Sequence, residues 1–188
     1  MSFLPANYHE ESTSNYMKLD EGTYSFRVLS EAIVGLEYWH VDGAKRTPVR
    51  IHQGVNIPIS DLNDYDDEGK LKMPKLFWAF AVFNRNDNRI QILEITQKTI
   101  RESILSLVNN PKWGDPKEYD ITIVSTGKKF DRTYTVTPDP KEELDQEILK
   151  KFKGMNINLD ALFDGLDPFA SKMMTADETE EENSNIPF

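Results

Sequence analysis

The segment Lys75–Asn84 constrains the fold more than any other part of this sequence. Its ten residues contain no glycine or proline, and they alternate as the two faces of a β-strand. One face would carry Leu76, Trp78, Phe80 and Val82, and the other Phe77, Ala79, Ala81 and Phe83. Asn84–Asn88 is turn-like, and Arg89–Ile95 is a suitable return strand of a hairpin. The chain is therefore predicted to be built around a β-sheet.

Shorter alternating segments and two helical patterns surround this hairpin. The other predicted strands are Thr23–Leu29, Glu37–Val41, Val49–Ile51, Tyr119–Val124 and Phe130–Val136. One helix is predicted after Thr96, with apolar residues at helical spacing up to Val108, and a second opens at Asp139-Pro140 and ends near Gly154. Short strands interrupted by one helix and finished by another fit a small β-barrel with added helices. An open β-sandwich would give much the same pattern.

The length of 188 residues fits one domain with tails. We predict a flexible N-terminal segment (residues 1–18), one domain (19–153), a short amphipathic segment (154–169) and a disordered acidic tail (170–188). No apolar run approaches the roughly 18–20 residues that span a membrane, and Met1–Asp20 lacks a signal-peptide pattern. A cytoplasmic protein without membrane contact is therefore expected. The absence of cysteine excludes disulfides, thiol nucleophiles and cysteine-based zinc sites.

The net charge of −10 is distributed unevenly. Residues 1–153 hold 21 Lys and Arg against 24 Asp and Glu, a net charge of −3. Residues 154–188 hold 1 against 8, a net charge of −7. Nucleic-acid binding is driven by cations at phosphates, and total acidity opposes it. Because the excess lies in the last fifth of the chain, the body can still carry a local basic groove.

The last thirteen residues, Ala176–Phe188, combine an acidic run with an apolar tip. The run holds five carboxylates and ends in Ile186-Pro187-Phe188, which nothing in the tail can bury. A partner's pocket would bury these side chains, with a basic group for the terminal carboxylate. This ending resembles the tip of bacterial single-stranded DNA-binding proteins, in which an acidic tail runs into Ile-Pro-Phe. The alternative is a solubilising, disordered end.

Several further stretches resemble the phage single-stranded DNA-binding family typified by the T-even helix-destabilising protein. They are Tyr24–Leu29, Lys75–Arg85, Ile90–Thr96, Trp113-Gly114-Asp115 leading to Tyr119–Ile123, Gly127, and Tyr134–Pro138. The resemblance covers roughly Leu19–Lys153. It implies an OB-fold, a five-stranded β-barrel whose open face binds single strands, with two or three added helices here.

The chain also departs from that family. The T-even protein holds a structural zinc through Cys and His ligands, whereas this chain has no cysteine and only the scattered His9, His40 and His52. A zinc-free variant is therefore implied. The T-even protein also uses a basic N-terminal segment for cooperative filament growth. Here residues 9–13 are acidic, which speaks against that route and leaves self-association on DNA open.

Binding of single strands without regard to sequence requires cations along the phosphates and aromatic faces for the bases, at ~1–3 kcal/mol per stacked base. The DNA-binding candidates are Arg27, Tyr38, Trp39, Lys45, Arg46, Arg50, Phe77, Trp78, Phe83, Arg85, Arg89, Lys128, Lys129, Arg132 and Tyr134. The alternative for the cations is ordinary surface charge. Phe77 and Phe83 would face outward if the opposite face fills the barrel, or would pack under the first helix. Neighbours on a strand point opposite ways, so one of Tyr38 and Trp39 is expected in the core.

Other chemistries find little support. Asp64, Asp66, Glu68 and Gly69 mimic the start of a calcium loop, but its twelfth position is Lys75 instead of a bidentate glutamate. No glycine spacing matches a phosphate-binding loop, and no Ser/His/Asp set presents itself. We expect no enzyme activity, no cofactor and no metal.

The sequence therefore favours a protein that coats and protects single-stranded DNA in phage replication, recombination and repair, and it leaves RNA open as the bound strand. Its tail would recruit replication and repair proteins through Ile186, Pro187 and Phe188, and would compete with DNA for the groove. The alternative is a β-rich protein-interaction module that recruits partners through its tail and does not bind nucleic acid.

Overall fold

The computed structural model describes residues 14–128 and 131–170, which are mainly β-structure. The strands are β1 (Tyr16–Met17), β2 (Gly22–Val28), β3 (Ile33–Asp42), β4 (Lys45–His52), β5 (Lys75–Asn84), β6 (Arg89–Ile95), β7 (Tyr119–Thr126) and β8 (Thr133–Lys141). The helices are α1 (Lys98–Val108) and α2 (Gln146–Met155). Short 3₁₀ turns lie at Ile59–Asp61, Pro116–Glu118 and Leu159–Leu162. The prediction of a mainly β fold with added helices is confirmed.

The eight strands form one sheet, which does not close on itself within the described residues. Its path runs β1-β6-β5-β2-β7-β8, and β3 joins β5 to β4. Strand β5 is central. It pairs with β6 along one edge, and along the other edge with β3 in its first half and β2 in its second half. This position explains why both faces of β5 are apolar, since each is covered.

The inner face of the sheet carries the main core, which α1 covers. Phe26, Phe80 and Leu93 are buried there, and Ile100 and Ile104 of α1 pack onto them. The i, i+4 spacing of the two isoleucines places them on one side of the helix. Removing this apolar surface from water, at ~25 cal/mol per Å², is the main force that holds α1 against the sheet.

The outer face is also covered, by α2 and by the segment 157–169. Phe83 is buried beneath Ile148 and Phe152 of α2. Phe77 is buried beneath Leu162 and its neighbours in the 157–169 segment. The expectation that Phe77 and Phe83 face solvent is therefore wrong. The covering elements come from the C-terminal part of the chain, and not from α1.

Gly35 shows how closely this cover fits. A Cβ at this position would lie 2.5 Å from the carbonyl oxygen of Ile51 and 2.7 Å from ring atoms of Phe77 and Phe163. The Phe163 ring also stacks on His52, with 3.8 Å between the ring centroids. Because Gly35 has no side chain, the Phe163 ring can pack directly against the sheet at this position.

Residues 14–20 lie along the opening between β6 and β8. Strand β1 pairs in parallel with β6, and Gln91 Nε2 donates to the Ser14 carbonyl at 2.7 Å. Met17 is buried in the inner core, while the Asp20 carboxylate lies 3.9 Å from Arg132, the residue before β8. The sequence predicts a flexible segment over residues 1–18. Its last five residues contact the sheet, and residues 1–13 lie outside the described part.

Several boundaries differ from prediction: β3 and β4 begin four residues earlier than predicted, and the end of β8 and the start of the second helix also differ. Strand β8 runs through Pro138 and Pro140 to Lys141. Proline has no N–H to donate to a neighbouring strand, and β8 tolerates it because β8 is an edge strand of the described sheet. The second helix therefore does not open at Asp139-Pro140. It begins at Gln146, where the Asp145 side chain accepts a hydrogen bond from the Glu147 N–H. Neither described helix is long and apolar enough to cross a membrane.

Candidate nucleic-acid interface

The hairpin of β3 and β4 extends beyond the rest of the sheet. Only Ile33–Glu37 of β3 pairs with β5, and β4 pairs with β3 alone among the described strands. The far half, residues 38–49, turns at Gly43-Ala44, with Gly43 at φ +58°. We call this half, together with the loop 53–74 that returns to β5, the arm.

The loop is fastened to the hairpin by an asparagine. The Val41 N–H donates to Asn63 Oδ1 at 2.9 Å, and Asn63 Nδ2 donates to the Val41 carbonyl at 2.7 Å. The amide side chain thus replaces a backbone partner on the strand. These two hydrogen bonds fix the position at which the loop crosses the hairpin.

A buried aspartate adds a second attachment. Asp64 forms ion pairs with Arg46 of β4 and, at 3.3 Å, with Lys72 further along the loop. Burial would raise the pKa of Asp64, but hydrogen bonds from Lys72 and Arg46 outweigh it and hold the pKa below its usual range. Asp64 therefore stays ionised and holds two cations at one place on the arm.

Trp39 and Arg46 form the most notable surface of the arm. The Trp39 side chain is 40% exposed, and the Arg46 guanidinium lies 5.5 Å from the centroid of its ring. A guanidinium near an aromatic face is attracted to it, and Asp64 fixes the orientation of the group. We call Trp39 with Arg46 the platform. It presents an aromatic surface beside a positive charge.

Other predicted residues accompany the platform. Tyr38 lies on the opposite face of the hairpin, half-buried opposite Val49, so it is not in the main core as one of the pair was expected to be. Lys45 is exposed at the turn and forms no ion pair with another described residue. The structure therefore places Tyr38, Trp39, Lys45 and Arg46 on one hairpin, with Tyr38 on the face opposite the platform.

The arm also carries exposed apolar side chains, and sequence reasoning missed all of them except Trp39. Of the eight exposed large hydrophobic residues in the described part, five lie on the arm. They are Trp39, Val55, Ile59, Tyr65 and Met73. No alternation marks the loop that holds the last four, and only the acidic composition around Tyr65 is visible in the sequence. The arm is thus the main site of exposed apolar surface.

Arg50 has another role at the root of the arm. Its guanidinium lies between Glu37 of β3, at 3.1 Å, and Glu94 of β6, at 2.7 Å, and it is largely buried. Burial raises the pKa of Glu37, and the nearby Arg50 charge opposes the rise. With two carboxylates around it, Arg50 ties β4 to β6 and is not free for a phosphate.

Arg27 and Arg85 meet at a second aspartate, at the other end of the sheet. Arg27 is 1% exposed, and its Nε donates to Asp120 at 2.6 Å while Nη1 donates to the Glu142 carbonyl at 2.9 Å. Arg85 Nε lies 2.8 Å from the same carboxylate, over the ring of Phe83 at 5.1 Å. Burial places Arg27 out of reach of a nucleic acid.

The remaining candidates lie apart from the arm. Trp78 and Tyr134 are half-buried and pack against the inner core. Arg132 is partly exposed beside Asp20, Lys128 is exposed at the β7–β8 turn, and Arg89 opens β6. Lys129 and the tip Ile186, Pro187 and Phe188 lie outside the described residues.

In residues 14–128 and 131–170, no three His, Asp or Glu side chains come together in a group that could hold a metal ion. An exposed indole can stack, and exposed cations can pair with anions.

Comparison with known proteins shows a similarity to a phage protein. The chain is 27% identical over 139 residues to a protein of Escherichia phage T5 named "Probable ssDNA-binding protein". The match covers 64% of this chain and 53% of that protein, so the chain spans about half the length of this relative. No family model matches the chain. No solved structure matches it either.

Proposed function

We propose that this protein binds single-stranded DNA without sequence preference, with the arm as its main contact surface. The observation that carries the proposal is the platform, in which Asp64 holds Arg46 beside the exposed ring of Trp39. A base stacks on an aromatic ring whatever its identity, and a neighbouring guanidinium pairs with phosphate. Lys45 at the turn adds a second cation. The name of the T5 relative supports the same function.

The connectivity of the sheet supports an OB-fold as the framework of this function. Strand β2 pairs with both β5 and β7, hairpins join β5 to β6 and β7 to β8, and α1 lies between β6 and β7. We propose that these strands form a five-stranded OB barrel, in which residues 14–20 would occupy the seam. The arm then falls between the first and second barrel strands, where OB-folds carry a loop that binds oligonucleotides.

In this proposal the single-stranded DNA does not bind across the outer face of β5 and β6, because α2 and residues 157–169 cover that face. The single strand instead follows the arm. The cations that are buried in their ion pairs, Arg27 and Arg50, hold the framework. The exposed cations Lys45 and Arg46 meet phosphates.

The protein would act in the cytoplasm of an infected host cell. It would coat exposed strands during phage replication, recombination and repair, and would act by binding and not as an enzyme. Binding to single strands alone would melt hairpins by mass action. The acidic tail would compete with DNA, and Ile186, Pro187 and Phe188 would recruit replication and repair proteins. Its charge motivates this part, since residues 154–188 carry −7 against −3 for the body.

A fluorescence titration tests the proposal. Oligo(dT) added to the full chain at two salt concentrations should quench tryptophan emission, with affinity that falls as salt rises. Trp39→Ala should remove most of the quench and weaken binding about 5- to 150-fold, the equivalent of one stacked base. Oligo(rU) in a parallel titration measures the preference for DNA over RNA. Absence of binding at low salt, for the full chain and for a chain ending at residue 170, would exclude the proposal.

The second candidate is a protein-interaction module that does not bind nucleic acid. The exposed aliphatic side chains of Val55, Ile59 and Met73 on the arm favour it, because such surface often meets another protein. In that case neither the wild type nor Trp39→Ala would bind the oligonucleotide in these titrations.

A further inference from the structure

A cleft of about 470 Å³ lies on the outer face beside the arm. Its walls come from three separate parts of the chain: the N-terminal segment, β4, and the turn that ends the 157–169 segment. They include Tyr16, Pro48, Arg50, Leu162, Leu166 and Asp167. The volume falls within the usual range for small-molecule pockets, and it is large enough for a nucleobase with its sugar.

The cleft is continuous with the platform. Pro48 of β4 lies directly opposite Trp39 of β3 in the hairpin register, so the two side chains share a face. Arg50, the next residue of β4 on that face, lines the cleft. Two residues along a strand cover about 6.8 Å. A ligand that stacks on Trp39 therefore lies close to the opening of the cleft.

The charges in and around the cleft indicate what it can hold. The positive charge of Arg50 is matched by Glu37 and Glu94, and Asp167 adds a further carboxylate to the lining. Burial raises the pKa of the Tyr16 phenol, and the Glu94 carboxylate raises it further. A phosphate would be repelled from these surroundings. A flat, uncharged group with hydrogen-bond donors on its edge fits them, which is the description of a nucleobase.

The rim of the cleft presents apolar surface. Gly165 has φ +67°, and this left-handed turn places Leu166 at the edge, where it is 64% exposed. Leu162, Pro48 and the Tyr16 ring provide the apolar walls. An exposed leucine beside a tyrosine and a proline can contact the two faces of a planar ring.

We propose that this cleft receives a base of the single strand, next to the base that stacks on Trp39, while the phosphates stay outside. The inference rests on the proposed function and adds a second base site to it. The strand would then turn its bases toward the protein at two neighbouring positions. Lys45 and Arg46 would take the backbone between and beside them.

Two matched substitutions test the cleft. Leu166→Glu places a carboxylate at its rim, and Leu105→Glu makes the same change at the 47% exposed leucine of α1. Both variants add one negative charge at an exposed site, so both should fold, which circular dichroism and thermal melting would check. Leu166→Glu should weaken oligo(dT) binding about tenfold, the value of roughly one base contact, and Leu105→Glu by less than about twofold.

If the wild type binds oligo(dT) and the two variants weaken binding equally, the proposed base site in the cleft is wrong and the proposed function still stands. A wild type that does not bind overturns both. Photocrosslinking gives an independent measurement. An oligo(dT) with 5-iodouracil at a single position should crosslink to Tyr16 as well as to Trp39. Crosslinks confined to aromatic residues elsewhere, such as Trp113 or Tyr134, would also overturn the cleft.

Discussion

Asp64 on the arm and Asp120 at the opposite end of the sheet each hold two basic side chains. At Asp120 the partners are Arg27, which is 1% exposed, and Arg85, which is 34% exposed. At Asp64 the partners are Arg46 and Lys72, which are 49% and 41% exposed. The ion-pair chemistry is the same at both sites. The degree of burial differs, and it separates cations that hold the framework from cations that can also reach a ligand.

The comparison has an energetic side. A buried pair stabilises the fold chiefly because removal of one partner leaves a desolvated charge, whereas an exposed pair contributes little. Substitutions in the Asp120 pairs should therefore change the free energy of unfolding more than substitutions in the Asp64 pairs, and substitutions of the exposed partners of Asp64 should change DNA affinity. Three experiments can separate the two regions.

The largest expected effect is that of Arg27→Met. The methionine keeps the stem in the core but leaves Asp120 with Arg85 alone and removes the hydrogen bond to the Glu142 carbonyl. We expect the free energy of unfolding to fall by about 3 kcal/mol, as for other broken buried pairs. Urea denaturation measures this loss. A variant of unchanged stability that binds oligo(dT) weakly would instead make Arg27 a DNA contact.

Arg46→Ala and Arg85→Ala form the next, matched test. Each arginine pairs with an aspartate and lies over an aromatic ring, at 5.5 Å from Trp39 and 5.1 Å from Phe83. We expect Arg46→Ala to weaken oligo(dT) binding about fivefold to tenfold, with a shallower dependence on salt, because one phosphate contact is lost. Arg85→Ala should leave affinity within about twofold. Similar losses for both would mean that charge alone, and not the arm, decides binding.

The smallest effect is expected for Asp64→Asn. The pKa of Asp64 lies below its ordinary value, so its ionised form stabilises the folded state above about pH 4, and this contribution is lost as the pH falls through the lowered pKa. The variant lacks it at every pH. The stability difference should therefore be below about 1 kcal/mol at pH 7, because both partners are half-exposed, and should be smaller at pH 3.

Urea denaturation at the two pH values measures this difference, with Asp67→Asn on the exposed part of the same loop as the control. A difference that is as large at pH 3 as at pH 7 would show that the asparagine disturbs the loop by its shape, and not by the loss of charge.

The sequence predicted the local structure of the central hairpin well. Strands β5 and β6 have the bounds that alternation indicated, Lys75–Asn84 and Arg89–Ile95. Alternation also separated the two faces of β5, but it could not say what covers the outer one. The cover comes from residues 157–169, where the sequence indicated an amphipathic segment but not the surface that it packs on, and its fit depends on Gly35 in a distant strand.

The site was harder to predict than the fold, for a similar reason. Arg27 and Arg46 look alike in the sequence, and what separates them is an aspartate 93 residues away in one case and 18 in the other. Trp39 and Arg46 were both named as candidates, but their contact follows from the hairpin register. The cleft combines residues 16, 48 and 166, and no local pattern links positions so far apart.

The turn of the arm also makes the protein easy to observe. Gly43-Ala44 lies at the end of the hairpin, in an exposed position far from both covered faces, and the chain contains no cysteine. Ala44→Cys would therefore create a single reactive thiol beside the platform. A fluorophore attached there would report each encounter with a DNA strand in real time, one molecule at a time, without disturbing the indole that makes the contact.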